Sequence, residues 1–206
     1  MADDTRERLL RAATEVFAEK GYAAATVREI CTRADANVAL INYYFGDKLA
    51  LYEQVLRDVV AADPARAPGL LGASPEEGLR VIIGTMLEKA SEARGNSSLR
   101  YRLMMHEFSH PSEGTVRMLE ITMRPVYDKL RTLVSAISGL PATHDHVRLC
   151  VHSLLGQVAH FAHSGPIMEA LWPEMKLTAE QRKMVAEHIA GSMLVYLRET
   201  SPAAHL

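Results

Sequence analysis

Apolar positions recur with a helical period along most of the chain. Leu9, Leu10, Ala13, Val16 and Phe17 share one face of a helix over residues 5–20, which Gly21 ends. Thr26 and Glu29 read as a capping box that starts a second helix, with Ile30, Cys31 and Ala34 inward. Asn37 is placed to cap a third, residues 37–45, whose Ile41 and Phe45 face the core. Phe45, Leu49, Tyr52, Leu56 and Val59 continue the apolar stripe along a fourth.

The stretch from Asp63 to Pro75 is rich in Pro, Gly and Ala and reads as a joint between two domains, 1–62 and 63–206. Ser74, Pro75 and Glu77 then open a helix carrying Leu79, Ile82, Ile83, Met86, Leu87 and Ala90, which runs to about Gly95. Further helical stretches follow at about 97–110, 112–138, 143–164, 166–172 and 178–199, the last opened by a Thr178/Gln181 box. No useful β-alternation and no repeat interrupts them. The fold class is therefore all-α: an N-terminal three-helix helix-turn-helix domain and a larger C-terminal helical bundle, about nine helices in all.

Composition narrows the picture. The opening MADDTRERLL is charged and lacks the apolar centre of a leader, and no stretch approaches the roughly 18 apolar residues of a membrane span. The expectation is a soluble cytoplasmic protein with no membrane partner. Cys31 and Cys150 each sit in an apolar helical pattern and read as reduced core residues. Residues 1–60 hold eight basic against ten acidic side chains. Any binding to nucleic acid then rests on a few placed contacts, used twice by a dimer.

The segment Thr26 to Lys48, TVREICTRADANVALINYYFGDK, is two short helices joined by a tight turn, ending in aromatics and a lysine. That layout is a helix-turn-helix, a reader of double-stranded DNA. Over residues 6–56 it resembles the TetR family of bacterial transcriptional regulators, with Phe17, Gly21, Thr26, Val27, Ile30, Ala34, Tyr44, Phe45 and Lys48 on the family pattern. INYYF, HEFSHPS and the run through RPVYDKL are similar to a subgroup with a CecR-type C-terminal domain. The resemblance implies a homodimer whose headpieces contact two half-sites of a palindromic operator. It implies a repressor released by a small effector, with no catalytic residues and no cofactor. Two departures stand out: Asp35 occupies a turn position where the family usually has glycine, and Val38, Ala39 and Leu40 replace the more common small polar residues.

Carried over by motif, Thr26 would offer its hydroxyl and the adjacent helix start to a phosphate, and Arg28 would reach a phosphate or guanine. Asn37, Val38, Ala39, Leu40 and Asn42 form the base-facing surface: asparagine pairs with adenine, and apolar groups pack on thymine methyls. Tyr43 and Tyr44 would donate to phosphates, and Lys48 would anchor the backbone. Arg28→Ala and Lys48→Ala are expected to abolish operator binding.

Ten methionines suggest a permissive pocket for a small apolar or aromatic effector. Its candidate lining is Met86, Met105 and Met123 with Arg102, His106, Arg124, Tyr127, His152, Gln157 and Trp172. For the homodimer, the last two long helices carry Cys150, Val151, Leu154, Leu155, Val158 and Phe161, and Val185, Ile189, Met193 and Tyr196, with Gly191 and Ser192 permitting close approach.

His106-Glu107-Phe108-Ser109-His110 matches HExxH, in which two histidines hold zinc and the glutamate activates water. The alternative function is accordingly a zinc-dependent helical hydrolase on His106, Glu107 and His110. A metal-responsive regulator is a second alternative, drawing on His144, His146, Cys150, His152, His160 and His163. Context opposes the hydrolase: Pro111 ends the helix, Gly114 is out of phase for a GxxH continuation, and no strand would hold a peptide. If the chain binds DNA, Glu107→Ala is expected to leave that binding largely intact.

Overall fold

The computed structural model describes residues 2–59, 67–92, 102, 103, 106, 107 and 109–200, and no strand occurs among them. The helices are α1 (Ala2–Ala24), α2 (Val27–Arg33), α3 (Ala39–Phe45), α4 (Lys48–Val59), α5 (Pro75–Glu92), α6 (Glu113–Met118), α7 (Arg124–Ser138), α8 (Asp145–His163), α9 (Gly165–Leu171) and α10 (Ala179–Thr200). A π-helical segment, Leu119–Met123, joins α6 to α7. Pro125 explains it: lacking an N–H and crowding the carbonyl four residues earlier, it prevents a regular α ladder there. The expected helix over 112–138 is thus one helical run with a widened middle.

Two compact units form, Met1–Ala61 with Asn96–Arg124, and Ala62–Gly95 with Pro125–Leu206. In the first, Leu9, Ala13, Val16 and Phe17 of α1 meet Ile30 of α2, Ile41 of α3, and Leu51, Tyr52 and Val55 of α4, all fully buried. Phe17 packs edge-on to Tyr52 at 4.8 Å and Tyr22 tilts against Tyr52 at 5.0 Å. Each large apolar side chain buried in this way contributes about 1.5–3 kcal/mol. The first helix is longer than expected. Gly21 breaks it at φ 73, ψ 171, and the chain resumes one helical turn to Ala24.

The partition differs from a single cut near residue 62. Leu103 and Met118 lie in the headpiece core, and Arg117 Nε reaches Glu53 on α4 at 3.1 Å. Gly114 is decisive, because a Cβ there would stand 2.7 Å from Tyr22 Cβ and 2.9 Å from Tyr52 Cε1. Helical periodicity shows that a face is buried but not against which neighbour, so the sequence alone assigned this segment to the second domain.

The second unit packs α5 against α10 and α8 around Leu79, Ile82, Val134, Val151, Ile189 and Leu197. Both expected capping boxes form: Ser74 with Glu77 (3.0 and 3.3 Å) and Thr178 with Gln181 (3.1 and 3.3 Å). The residues expected at a dimer interface need correction. Cys150, Val151, Leu154, Val158, Val185, Ile189 and Met193 are buried in this unit's own core, with Leu155 and Phe161 packed against it. The outward stripe of α8 and α10 instead carries Leu149, Met184, Val195 and Tyr196. The strongest apolar stripe of each helix serves its own subunit first. No helix among the described residues is long and apolar enough to cross a membrane.

Gly114→Ala is expected to destabilise the protein by about 1–3 kcal/mol through overpacking, read by chemical denaturation. Gly84→Ala, in α5 where an added methyl meets nothing within 4 Å, should be neutral or stabilising by up to about 1 kcal/mol. Equal effects from the two would contradict the close approach at Gly114.

Candidate nucleic-acid interface

Thr26 is extended (φ −118, ψ 144), and its Oγ1 accepts the Glu29 N–H at 3.2 Å, fixing where α2 starts. Glu29 does not return the bond as a full capping box would; its carboxylate pairs with Lys20 at 2.7 Å. The turn after α2 closes by two backbone bonds, Ala36 N–H to the Cys31 carbonyl (2.9 Å) and Asp35 N–H to the Thr32 carbonyl (3.3 Å). This is a Schellman closure, with Asp35 in its left-handed position at φ 49. The position that resembles a family glycine therefore does need positive φ, and aspartate occupies it at modest cost.

The recognition helix starts at Ala39, two residues later than the expected 37–45. Asn37 still acts as a cap, its Oδ1 accepting the Ala39 N–H at 2.9 Å. Ile41 is fully buried and pins the helix, leaving Asn37, Val38, Ala39 and Asn42 exposed and Leu40 half-buried. The two tyrosines part company. Tyr43 is 79% exposed, whereas Tyr44 packs against the headpiece core and meets the Tyr43 ring edge-on at 4.9 Å.

The headpiece cations differ in what holds them. Arg33 is bidentate to Glu19 (2.8 and 2.9 Å), and that bond holds the Glu19 carboxyl below its usual range. Arg28 is exposed and makes no ion pair among the described residues. Lys48, the expected anchor for the DNA backbone, has its Nζ 4.3 Å over the Tyr22 ring. Burial there lowers its pKa, partly offset by the nearby Glu113 and Glu107 carboxylates. The Arg6 guanidinium lies 5.3 Å over the ring of Phe45, the last residue of α3, a contact with no sequence signal.

Glu107 of the HEFSH motif lies buried in the same unit. Glu107 is 1% exposed and accepts four hydrogen bonds, from Tyr22 N–H (3.1 Å) and from the hydroxyls of Tyr52 (3.2 Å), Ser112 (2.7 Å) and Thr115 (2.8 Å). A general base needs a free lone pair facing water, and these four donors occupy its carboxylate. His106 packs on α1, where a Cβ at Gly21 would stand 3.2 Å from its own Cβ, while His110 is exposed. Glu107→Ala would leave these four donors without an acceptor, a cost to the fold that the sequence does not signal. Tyr22, Ser112 and Thr115 carry no signal as partners in the sequence, and Tyr52 reads there only as an apolar stripe residue. The only available hint was an acidic residue in an apolar helical pattern just before Ser and Thr.

Residues 9–55 match the family model described as bacterial regulatory proteins, tetR family. Residues 75–199 match that of the C-terminal domain of the HTH-type transcriptional dual regulator CecR. The chain belongs to the TetR family. This regulator is 26% identical to CecR of Shigella flexneri over 170 residues, 77% of this chain and 76% of CecR. It is 38% identical over 84 residues to the transcriptional repressor NicS of Pseudomonas putida, spanning 40% of each chain. It is 28% identical over 140 residues to the activator FasR of Mycolicibacterium smegmatis, 68% of this chain and 63% of FasR. Among solved structures, a HlyIIR mutant superimposes with a TM-score of 0.62 at 19% identity, covering 91% of this chain and 97% of that one. FadR from Bacillus subtilis in complex with stearoyl-CoA gives 0.59 at 19% identity, covering 93% and 96%. Those two likenesses concern the fold.

In this TetR-family DNA-binding regulator the candidate effector residues fall in both units. Arg102 and Arg124 are exposed and Met123 is half-buried in the first, with His106 on Gly21. Met105 lies outside the described residues. In the second unit Met86 and Tyr127 pack against the core, and the exposed His152 lies 5.5 Å from the Tyr127 ring. Gln157 borders a groove of about 290 Å³ with Leu149, Cys150, Ser153 and Tyr196, and Trp172 is partly exposed. Three of the other histidines have local partners. His144 Nδ1 caps α8 by accepting the His146 N–H, His146 stacks on Tyr196, and His160 Nδ1 lies 3.3 Å from Ser164 Oγ. Among the described residues no group of three or more His, Cys, Asp or Glu is arranged to hold a metal ion.

The Schellman closure makes a testable demand. Asp35→Val should cost about 1–2 kcal/mol in urea unfolding, because a β-branched residue resists positive φ, whereas Asp35→Gly should not destabilise. Equal stability of the two variants would contradict the left-handed turn.

Proposed function

We propose that the protein is a homodimeric repressor that leaves a palindromic operator on binding a small apolar or aromatic effector. The observation that carries the DNA half of this reading is the exposed face Asn37, Val38, Ala39, Asn42 and Tyr43 on a helix pinned by Ile41. Asn37 and Asn42 supply amides for adenine, and Val38, Ala39 and Leu40 meet thymine methyls. Thr26, Arg28 and Tyr43 hold phosphates, with Tyr44 in a packing role and Lys48 reaching the backbone from its seat on Tyr22. Arg28 keeps the alternative of a guanine contact. NicS is named a repressor and FasR an activator, so the sign of regulation rests on the resemblance alone.

The effector reading draws on the second unit, where Met86 and Tyr127 pack against the same core and His152 and Arg131 flank the Tyr127 ring. That one structural neighbour holds an acyl-CoA supports an apolar ligand class without assigning that molecule here. The hydrolase alternative finds no support at Glu107, whose carboxylate is bound by four donors and offers no free base.

The homodimer forms through the outward stripe of α8 and α10. Leu149, Met184 and Val195 are at least half-exposed, and Gly156 and Ser192 leave room for a second pair of helices. A two-fold axis there buries this apolar surface twice.

Selection of duplexes from a random pool by the purified protein, with and without a panel of apolar and aromatic compounds, tests the whole reading. It should return a near-palindrome whose affinity drops with one compound class. Recovery of no preferred sequence would contradict it. Asn42→Ala should cost about 1–3 kcal/mol on the selected duplex and little on random competitor. Leu149→Glu with Val195→Glu should lower the sedimentation mass from twice 22.8 kDa to 22.8 kDa. A double variant that stays dimeric would remove this face as the interface.

A further inference from the structure

The four bonds to Glu107 divide between its two oxygens. Oε1 accepts from Tyr22 N–H and Tyr52 Oη, and Oε2 from Ser112 Oγ and Thr115 Oγ1. Tyr22 lies four residues before the cap of α2, and Tyr52 lies one turn into the helix that follows α3. The DNA-reading pair is therefore bracketed in sequence by the two groups that Oε1 holds. On the other side, Ser112 Oγ accepts the Gly114 N–H (3.1 Å) and Thr115 Oγ1 accepts the Ser112 N–H (2.7 Å). Those bonds direct both hydroxyl protons at Oε2. Tyr22 adds a second tie, its hydroxyl donating to Glu113 at 2.8 Å while its ring carries the Lys48 ammonium.

We propose that Glu107 is a positioning residue, a buried cross-link that ties the end of α1 and the start of α4 to the 107–115 corner, so that displacing this corner shifts the helix-turn-helix and changes operator affinity. The inference rests on the reading that the headpiece binds DNA. A carboxylate suits the task because both of its oxygens accept. Glutamine has one accepting oxygen. Since the Tyr22 N–H can only donate, the amide oxygen turns to Tyr22 and Tyr52, and the NH₂ faces two hydroxyls that lose their acceptor. Each hydroxyl can only accept from that NH₂ through its remaining lone pair, so Glu107→Gln replaces two charge-assisted bonds to the corner by weaker neutral ones while keeping the size of the side chain and the Tyr22 side of the link.

The experiment uses full-length protein and the duplex selected by the unmodified chain, at a temperature where circular dichroism shows every variant folded. Glu107→Gln should lose about tenfold in affinity for that duplex, with binding to random duplex unchanged. Amides of Tyr22 and residues 27–45 should exchange faster. A control of matched thermal stability, Val55→Ala in the same core, should bind within about twofold of the unmodified protein. Unchanged operator affinity in Glu107→Gln would overturn the proposal, as would an equal loss in Val55→Ala. If Glu107→Gln does not fold, Tyr52→Phe, which removes one donor to Oε1, carries the same comparison. If the unmodified protein selects no duplex, the regulator reading falls and exchange decides the cross-link: faster exchange at Tyr22 and 27–45 upholds it, and unchanged protection overturns it.

Discussion

A helix of seven residues cannot hold its own shape in water, and both helices of the DNA-reading pair are that short. Their placement depends on burial of Ile30, Cys31 and Ile41 against α1 and α4. This one constraint accounts for the build of the headpiece. Its core takes Phe17, Tyr22 and Tyr52 as large aromatics, needs a glycine where Tyr22 and Tyr52 crowd α6, and closes the turn at Asp35 with two backbone bonds. The exposed residues of α3 take no part in the core because one isoleucine, with help from Tyr44 and Phe45, does the anchoring.

Charge follows a similar economy. Lys20 and Arg33 are spent on Glu29 and Glu19, and Lys48 on an aromatic face, so the acidic headpiece presents few uncommitted cations. A reader built in this way depends on geometry more than on field strength. That dependence gives weight to whatever fixes the stance of α2 and α3, and the hydrogen bonds of Glu107 with Tyr22 and Tyr52 lie where such control would act.

Much of the fold was legible in the sequence. Helices were visible because the apolar period is local, and starts were visible because Thr26, Ser74 and Thr178 cap through bonds spanning three residues. The turn at Asp35 was legible only through the resemblance, as a position where the family usually has glycine. What stayed hidden is long-range. Tyr22 and Tyr52, which Gly114 approaches, lie more than sixty residues before it in the chain, so no window of sequence shows that it belongs to the headpiece. The stripe of α8 and α10 was read correctly as apolar but assigned to a partner subunit instead of the protein's own core. HEFSH misled because a motif records residue types and spacing, while chemistry depends on what surrounds them. Here a carboxylate that could have activated water is saturated by donors from α1, α4 and its own corner.

The central claim is that α3 enters a major groove, once per subunit. Methylation interference on the selected duplex tests it most directly, because dimethyl sulfate marks guanine N7 in that groove. The account predicts that methylation blocks binding at guanines in two symmetric clusters about one helical turn apart. Tight binding that no guanine N7 methylation in the half-sites disturbs would contradict it.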